Sequence, residues 1–164
     1  MSDIIDPLGT IAEFSIGLAG FAGIVAALSR SSHDQLELRL FRFTNLLITA
    51  FAPGFFSILS ICLIYSGVET IQSIQVSSFA LLLYLGAWLI LIVKTTPAKS
   101  VGRSILFFMW TLAITNILLQ ATNVVAPNIN LVGFYLFGLL VLLLQAAIVF
   151  SALALDAIRN TVDA

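Results

Sequence analysis

The chain reads as an all-α polytopic membrane protein, a bundle of five transmembrane helices with its amino terminus outside and its carboxyl terminus in the cytoplasm. Three observations predict this. Of its 164 residues 60% are hydrophobic and only 9% charged, against roughly 25% charged in soluble domains. Five apolar stretches are each long enough to cross about 30 Å of hydrocarbon, which takes about 20 residues at helical rise. All seven basic residues, Arg30, Arg39, Arg42, Lys94, Lys99, Arg103 and Arg159, fall in or beside alternate gaps between those stretches, or in the tail. Positive charge retained on the cytoplasmic side produces that pattern.

The spans are expected at 8–28, 43–65, 74–93, 105–125 and 131–155, in one domain covering 1–164. Their apolar runs lack the alternation of a lipid-facing barrel strand, so they are read as helices. The amino terminus is acidic and has no evident small-residue cleavage site, so the first helix is expected to be retained. Asp3, Asp6 and Glu69 fall on the side without basic residues, which gives one acidic face and one mixed, basic face.

In the first span, Asp6 and Pro7 suit an N-cap and first helical position, because proline lacks an amide hydrogen that would go unpaired there. Helical rotation places Ala12, Ser15, Ala19, Ala22, Gly23 and Ala26 on one side, where small side chains permit close backbone approach. Glu13, Gly17 and Gly20 share a second side. Ile11, Phe14, Leu18, Phe21 and Val25 form a bulky third. Two contact-forming sides place this helix near the centre of the bundle. Glu13 is the acidic residue clearly inside a span, and burying it charged would cost several kcal/mol. It is therefore expected to take up a proton, a cation or amide donors, or to snorkel to the outer surface.

In the second span, Ser32 with Gln35 resembles a capping box, starting the helix before the bilayer. Arg42, Asn45 and Thr49 head a polar seam that continues to Ser57 and Ser60, and Pro53 with Gly54 marks a hinge, since proline leaves the Thr49 carbonyl without its usual partner. The seam is either wetted from the cytoplasm or bonded between helices. Gly67 closes this helix, and Pro97 and Pro127 mark further loops. In the fourth span Asn116, Gln120 and Asn123 recur at spacings of four and three and face one way. Gln120 is expected near the depth of Glu13, and the two are the expected partners. Gln145 in the fifth span is the expected partner of Asn116.

The residue inventory points away from catalysis. Retinal would want a lysine within a span and haem usually wants histidine, whereas His33 lies in a loop. Intramembrane proteolysis would want paired aspartates, a serine with a base, or a zinc-binding histidine cluster. No phosphate-binding glycine loop is present. No enzyme, cofactor, metal site or nucleic-acid partner is expected, and Cys62 reads as a small hydrophobe. The expected partners are the lipid bilayer, a second copy or another membrane subunit, and anionic lipid at the cytoplasmic face, where each basic residue gains about 1 kcal/mol. The location is expected to be a plasma or inner membrane. Two functions follow: a non-catalytic accessory, scaffold or assembly subunit packed through small-residue faces, or an oligomeric proton or monovalent-cation channel or transporter using Glu13, with Asn116 and Gln120 shaping its surroundings.

Overall fold

Long apolar runs have one low-energy state in hydrocarbon, the helix, because every backbone N–H and C=O must be satisfied without water. The computed structural model describes residues 2–28, 36–95, 103–126 and 131–162. It consists of α1 (Ser2–Leu28), α2 (Leu36–Tyr65), α3 (Thr70–Thr95), α4 (Arg103–Val125) and α5 (Leu131–Val162). All five are long and apolar enough to cross a membrane, over Ile4–Val25, Phe43–Tyr65, Thr70–Ile92, Phe107–Val125 and Leu131–Leu155.

The helix ends differ from the expected ones for identifiable reasons. Asp6 and Pro7 do not begin α1, and Pro7 lies inside it. Ile4, Leu8 and Ile11 form one buried face, so helix in the turn before the proline buries Ile4 in the core. Proline costs least near a helix start, where few amide hydrogens have partners. The proposed cap at Ser32 and Gln35 lies outside the described residues. At the far end of α2, Gly67 adopts a φ of 86°. The Gly67 N–H donates to the Ile64 carbonyl (3.1 Å) and the Val68 N–H to that of Leu63 (3.1 Å). This paired closure satisfies carbonyls that the helix end would otherwise strand, and its left-handed residue favours glycine. The short 66–69 link makes α2 and α3 adjacent.

The bundle is organised around α5, which touches all four other helices. α1 is not central: among the described residues it packs on α2 and α5 and makes no contact with α3 or α4. Of its three faces the small-residue one is covered as far as Ala22. Ala12, Ser15, Ala19 and Ala22 are buried, whereas Phe14, Phe21, Gly17, Gly20 and Gly23 are exposed. A Cβ added at Gly17, Gly20 or Gly23 would meet nothing within 4 Å. Those three glycines, which the sequence assigns to helix packing, therefore pack against no other helix among the described residues.

The close approach that small residues permit is made instead at Gly54. A Cβ there would lie 2.9 Å from the Ser15 Cβ. Position 54 thus acts as the socket in which α1 rests against α2, and both Pro53 and Gly54 are buried. Around it the core divides. Ile4, Leu8, Ile11, Phe56, Ile64, Ile74, Leu81, Tyr135 and Leu139 belong to a large apolar cluster. Ala19, Ala22, Leu46, Ala50 and Ala146 form a second, small-residue cluster where backbones lie close.

Candidate functional site

The polar side chains inside the spans converge on three helix contacts. The most regular joins α4 to α5. Asn116 Nδ2 donates to the Gly138 carbonyl (2.9 Å), Gln120 Nε2 to that of Phe134 (3.2 Å), and Asn123 Nδ2 to that of Leu131 (3.0 Å). Gln145 Nε2 on α5 reaches back to the Met109 carbonyl (3.3 Å). From Met109 to Asn123 the steps up α4 are seven, four and three residues, and from Gln145 to Leu131 the steps down α5 are the same. Antiparallel helices in fixed register produce that mirror pattern, since equal rise carries both chains through the same height.

Gly138 makes the ladder possible. A Cβ at that position would fall on Gln120 Nε2 and Asn116 Oδ1. Gln120 Nε2 also donates to Asn116 Oδ1 (3.2 Å), and Asn123 Nδ2 to Ser78 Oγ on α3 (3.2 Å). All four amide side chains are buried, and among the described residues Gln120 Oε1, Asn123 Oδ1 and Gln145 Oε1 have no hydrogen-bond donor. The amide N–H groups are thus committed to main-chain carbonyls, and three amide oxygens remain as acceptors.

The second contact joins α2, α3 and α5 deep in the bundle. Tyr135 Oη donates to the Phe56 carbonyl (2.8 Å) and lies 2.8 Å from Ser60 Oγ, which in turn lies 2.8 Å from Ser77 Oγ. All three hydroxyls belong to fully buried residues. The third joins α3 to α2. Trp88 Nε1 donates to Asn45 Oδ1 (3.1 Å), and Tyr84 Oη donates to the Ile48 carbonyl (2.7 Å). Ile48 precedes Thr49, whose carbonyl loses its usual donor because Pro53 has no N–H. Tyr84 thus adds a donor at the neighbouring Ile48 carbonyl, whose own helical donor is the Ala52 N–H, and does not replace the bond lost at Thr49.

These placements rearrange the candidate site. Glu13 is exposed on α1 and does not pair with Gln120, because α1 and α4 do not touch among the described residues. Asn116 and Gln145 do not pair either: they occupy different rungs of the ladder. Asn45 meets Trp88, and Thr49 Oγ1 bonds back to the Asn45 and Leu46 carbonyls (2.8 and 3.2 Å). The side chain of Arg42 lies outside the described residues. The seam on α2 is thus occupied by contacts with α3 and α5 and by its own backbone, except at Ser57, whose buried Oγ has no hydrogen-bond partner among the described residues. Tyr84, Trp88, Ser77, Tyr135 and Gly138 were not singled out in the sequence. Gly138 had a usable signal, since mirroring the amide spacing across the short connection after α4 leads to it. Of the five described residues of the small-residue face, Ala12, Ser15, Ala19 and Ala22 are buried and Gly23 is exposed.

Comparison with family models, curated proteins and solved structures finds no match. Among the described residues no group of three or more His, Cys, Asp or Glu side chains is arranged to hold a metal ion.

Proposed function

We propose that the chain is a non-catalytic multi-pass membrane subunit, an accessory or assembly protein, inserted with its amino terminus outside and its basic loops in the cytoplasm. One observation carries the reading. Glu13 lies nine residues into the Ile4–Val25 span, roughly 13 Å along it, on a side of α1 that no other helix covers among the described residues. Gly9, Gly17 and Gly20 lie within about 40° of it at 100° per residue, and a Cβ at any of them meets nothing within 4 Å. A carboxyl facing hydrocarbon at that depth is costly. Cover by a neighbouring subunit removes the cost, and small residues beside it let that subunit's backbone approach. The polar groups between α2, α3, α4 and α5 support the same reading, because they join helices to one another.

The alternative is an oligomeric proton or monovalent-cation channel or transporter in which the same carboxyl contacts the ion. The two part on one pair of measurements, made on protein reconstituted in liposomes. In the accessory reading, proton and potassium flux stays at the level of empty liposomes, and Glu13→Gln or Gly17→Leu weakens cross-linking through a cysteine at position 20 in a Cys62→Ser background. Flux above that level, lost in Glu13→Gln with the fold intact, overturns the accessory reading in favour of the alternative.

A further inference from the structure

α1 and α3 both pack on α2 but not on each other, which leaves a groove whose floor is α2 and whose walls are the other two helices. Its volume is about 970 Å³, at the upper end of the roughly 300–1,000 Å³ typical of small-molecule sites. The floor carries Phe51 and Phe55, and the α3 wall carries Tyr84, Trp88 and Leu91. We infer that this groove binds one acyl chain of an anionic glycerophospholipid whose headgroup is held at the Lys94 end of the bundle.

The location commits the occupant. Along α2 the lining runs from Leu47 to Ile58, roughly 16 Å at helical rise, close to half of a ~30 Å hydrocarbon core. On α3 it occupies Tyr84–Leu91, the half of the Thr70–Ile92 span nearest Lys94. On α1 it reaches only the middle, at Ser15 and Ile16. The groove therefore lies mainly in the leaflet nearest Lys94, its α2 floor ending four residues past the middle of the Phe43–Tyr65 span. Its α3 stripe of Tyr84, Ala87, Trp88 and Leu91 continues, three residues on, to the exposed Lys94 in the last turn. An ammonium at the leaflet surface above an acyl-sized groove matches a phosphate headgroup above its chain. A transmembrane helix would instead need a face extending across both leaflets.

The groove is also built in advance. Trp88 and Tyr84 are tied to α2 through Asn45 Oδ1 and the Ile48 carbonyl, and Ser15 rests on Gly54 at the opposite wall. Its walls hold their separation without an occupant, so little ordering cost falls on binding.

Trp88 lies in the groove and reports its occupant. With Trp110→Phe as background, the protein is reconstituted in phosphatidylcholine nanodiscs containing increasing fractions of a lipid brominated on its acyl chains, either phosphatidylglycerol or phosphatidylcholine. The expected result is saturable quenching of Trp88 at about fivefold lower mole fraction for phosphatidylglycerol, the preference that ~1 kcal/mol from one lysine confers. Lys94→Gln should remove the preference and leave the quenching, and Ala87→Phe, which fills the groove, should reduce quenching by both lipids. Equal quenching by the two lipids in the Lys94 protein overturns the headgroup assignment and with it the proposal. Absence of quenching by either shows a protein surface covering the groove, and also overturns it. Native mass spectrometry of the unmodified chain provides a check independent of variants, with retained phosphatidylglycerol expected and retention of phosphatidylcholine alone counting against the inference.

Discussion

Gly138→Ala isolates what the α4–α5 ladder contributes, because the substitution adds one methyl group where two amides meet. The new Cβ falls on Gln120 Nε2 and Asn116 Oδ1, and Asn116 Nδ2 donates to the carbonyl of the same glycine. Alanine gains up to about 1 kcal/mol of helix propensity over glycine. Against this stand two hydrogen bonds, at about 0.6 kcal/mol each in a membrane bundle, and about 1–3 kcal/mol for a buried amide left without a partner. The balance is a loss of about 1–3 kcal/mol. Gly86→Ala on α3 is the control, since a Cβ there meets nothing within 4 Å and propensity alone should leave it neutral or slightly stabilised. Steric-trapping measurements of unfolding in bicelles compare the two. In the double variant Gly138→Ala with Asn116→Ala, the losses should fall short of additivity, because each removes the same contact. If Gly138→Ala unfolds like Gly86→Ala, α4 and α5 are not held in the register described.

Two further substitutions test the other contacts by the same measurement. Gly54→Ala pushes α1 away from α2, because its Cβ would lie 2.9 Å from Ser15 Cβ; a loss of about 1–3 kcal/mol is expected for such overpacking, with partial recovery when Ser15→Gly is added, and a neutral result would place α1 elsewhere. Tyr84→Phe removes the donor to the Ile48 carbonyl and should cost about 0.6–1.7 kcal/mol, equally in wild type and in a Pro53→Ala background, because the N–H regained there faces the Thr49 carbonyl; a neutral result would part α3 from α2 at this contact.

The five helices were legible because hydropathy and length depend only on local sequence, and hydrocarbon enforces helix wherever both suffice. The burial of Asn116, Gln120 and Asn123 was legible for a related reason, since steps of four and three keep a donor row on one side of a helix. Their partners were not. A main-chain carbonyl looks the same at every residue, so sequence displays the amide donors and conceals the acceptors at Leu131, Phe134 and Gly138. Pairing side chain with side chain therefore led to Glu13 with Gln120, and to Asn116 with Gln145, when each amide had a backbone acceptor on the facing helix. Glycine is ambiguous in a similar way. At Gly54 and Gly138 the missing Cβ admits a neighbour, whereas at Gly17 and Gly20 it leaves open space on an outer face, and composition cannot distinguish the two.

Backbone acceptors explain why this arrangement specifies a register where leucine packing could not. In lipid, an apolar helix gains little from burying a leucine against another helix rather than against acyl chains, so apolar contact tolerates sliding. An amide donor cannot slide freely: the carbonyls facing it recur at helical intervals, and a shift between them leaves an N–H without a partner in hydrocarbon. With four rungs spaced by seven, four and three residues, no translation by one turn keeps Gln120 beside a residue that lacks a Cβ, because Gly138 is the only glycine in α5 after Gly133. A one-turn slip toward Leu142 presents a leucine at the crowded position, and the opposite slip presents Phe134. The irregular spacing of the rungs together with a single open site at position 138 thus selects one height for α4 against α5, and the oxygens left without donors are a cost accepted for that selection.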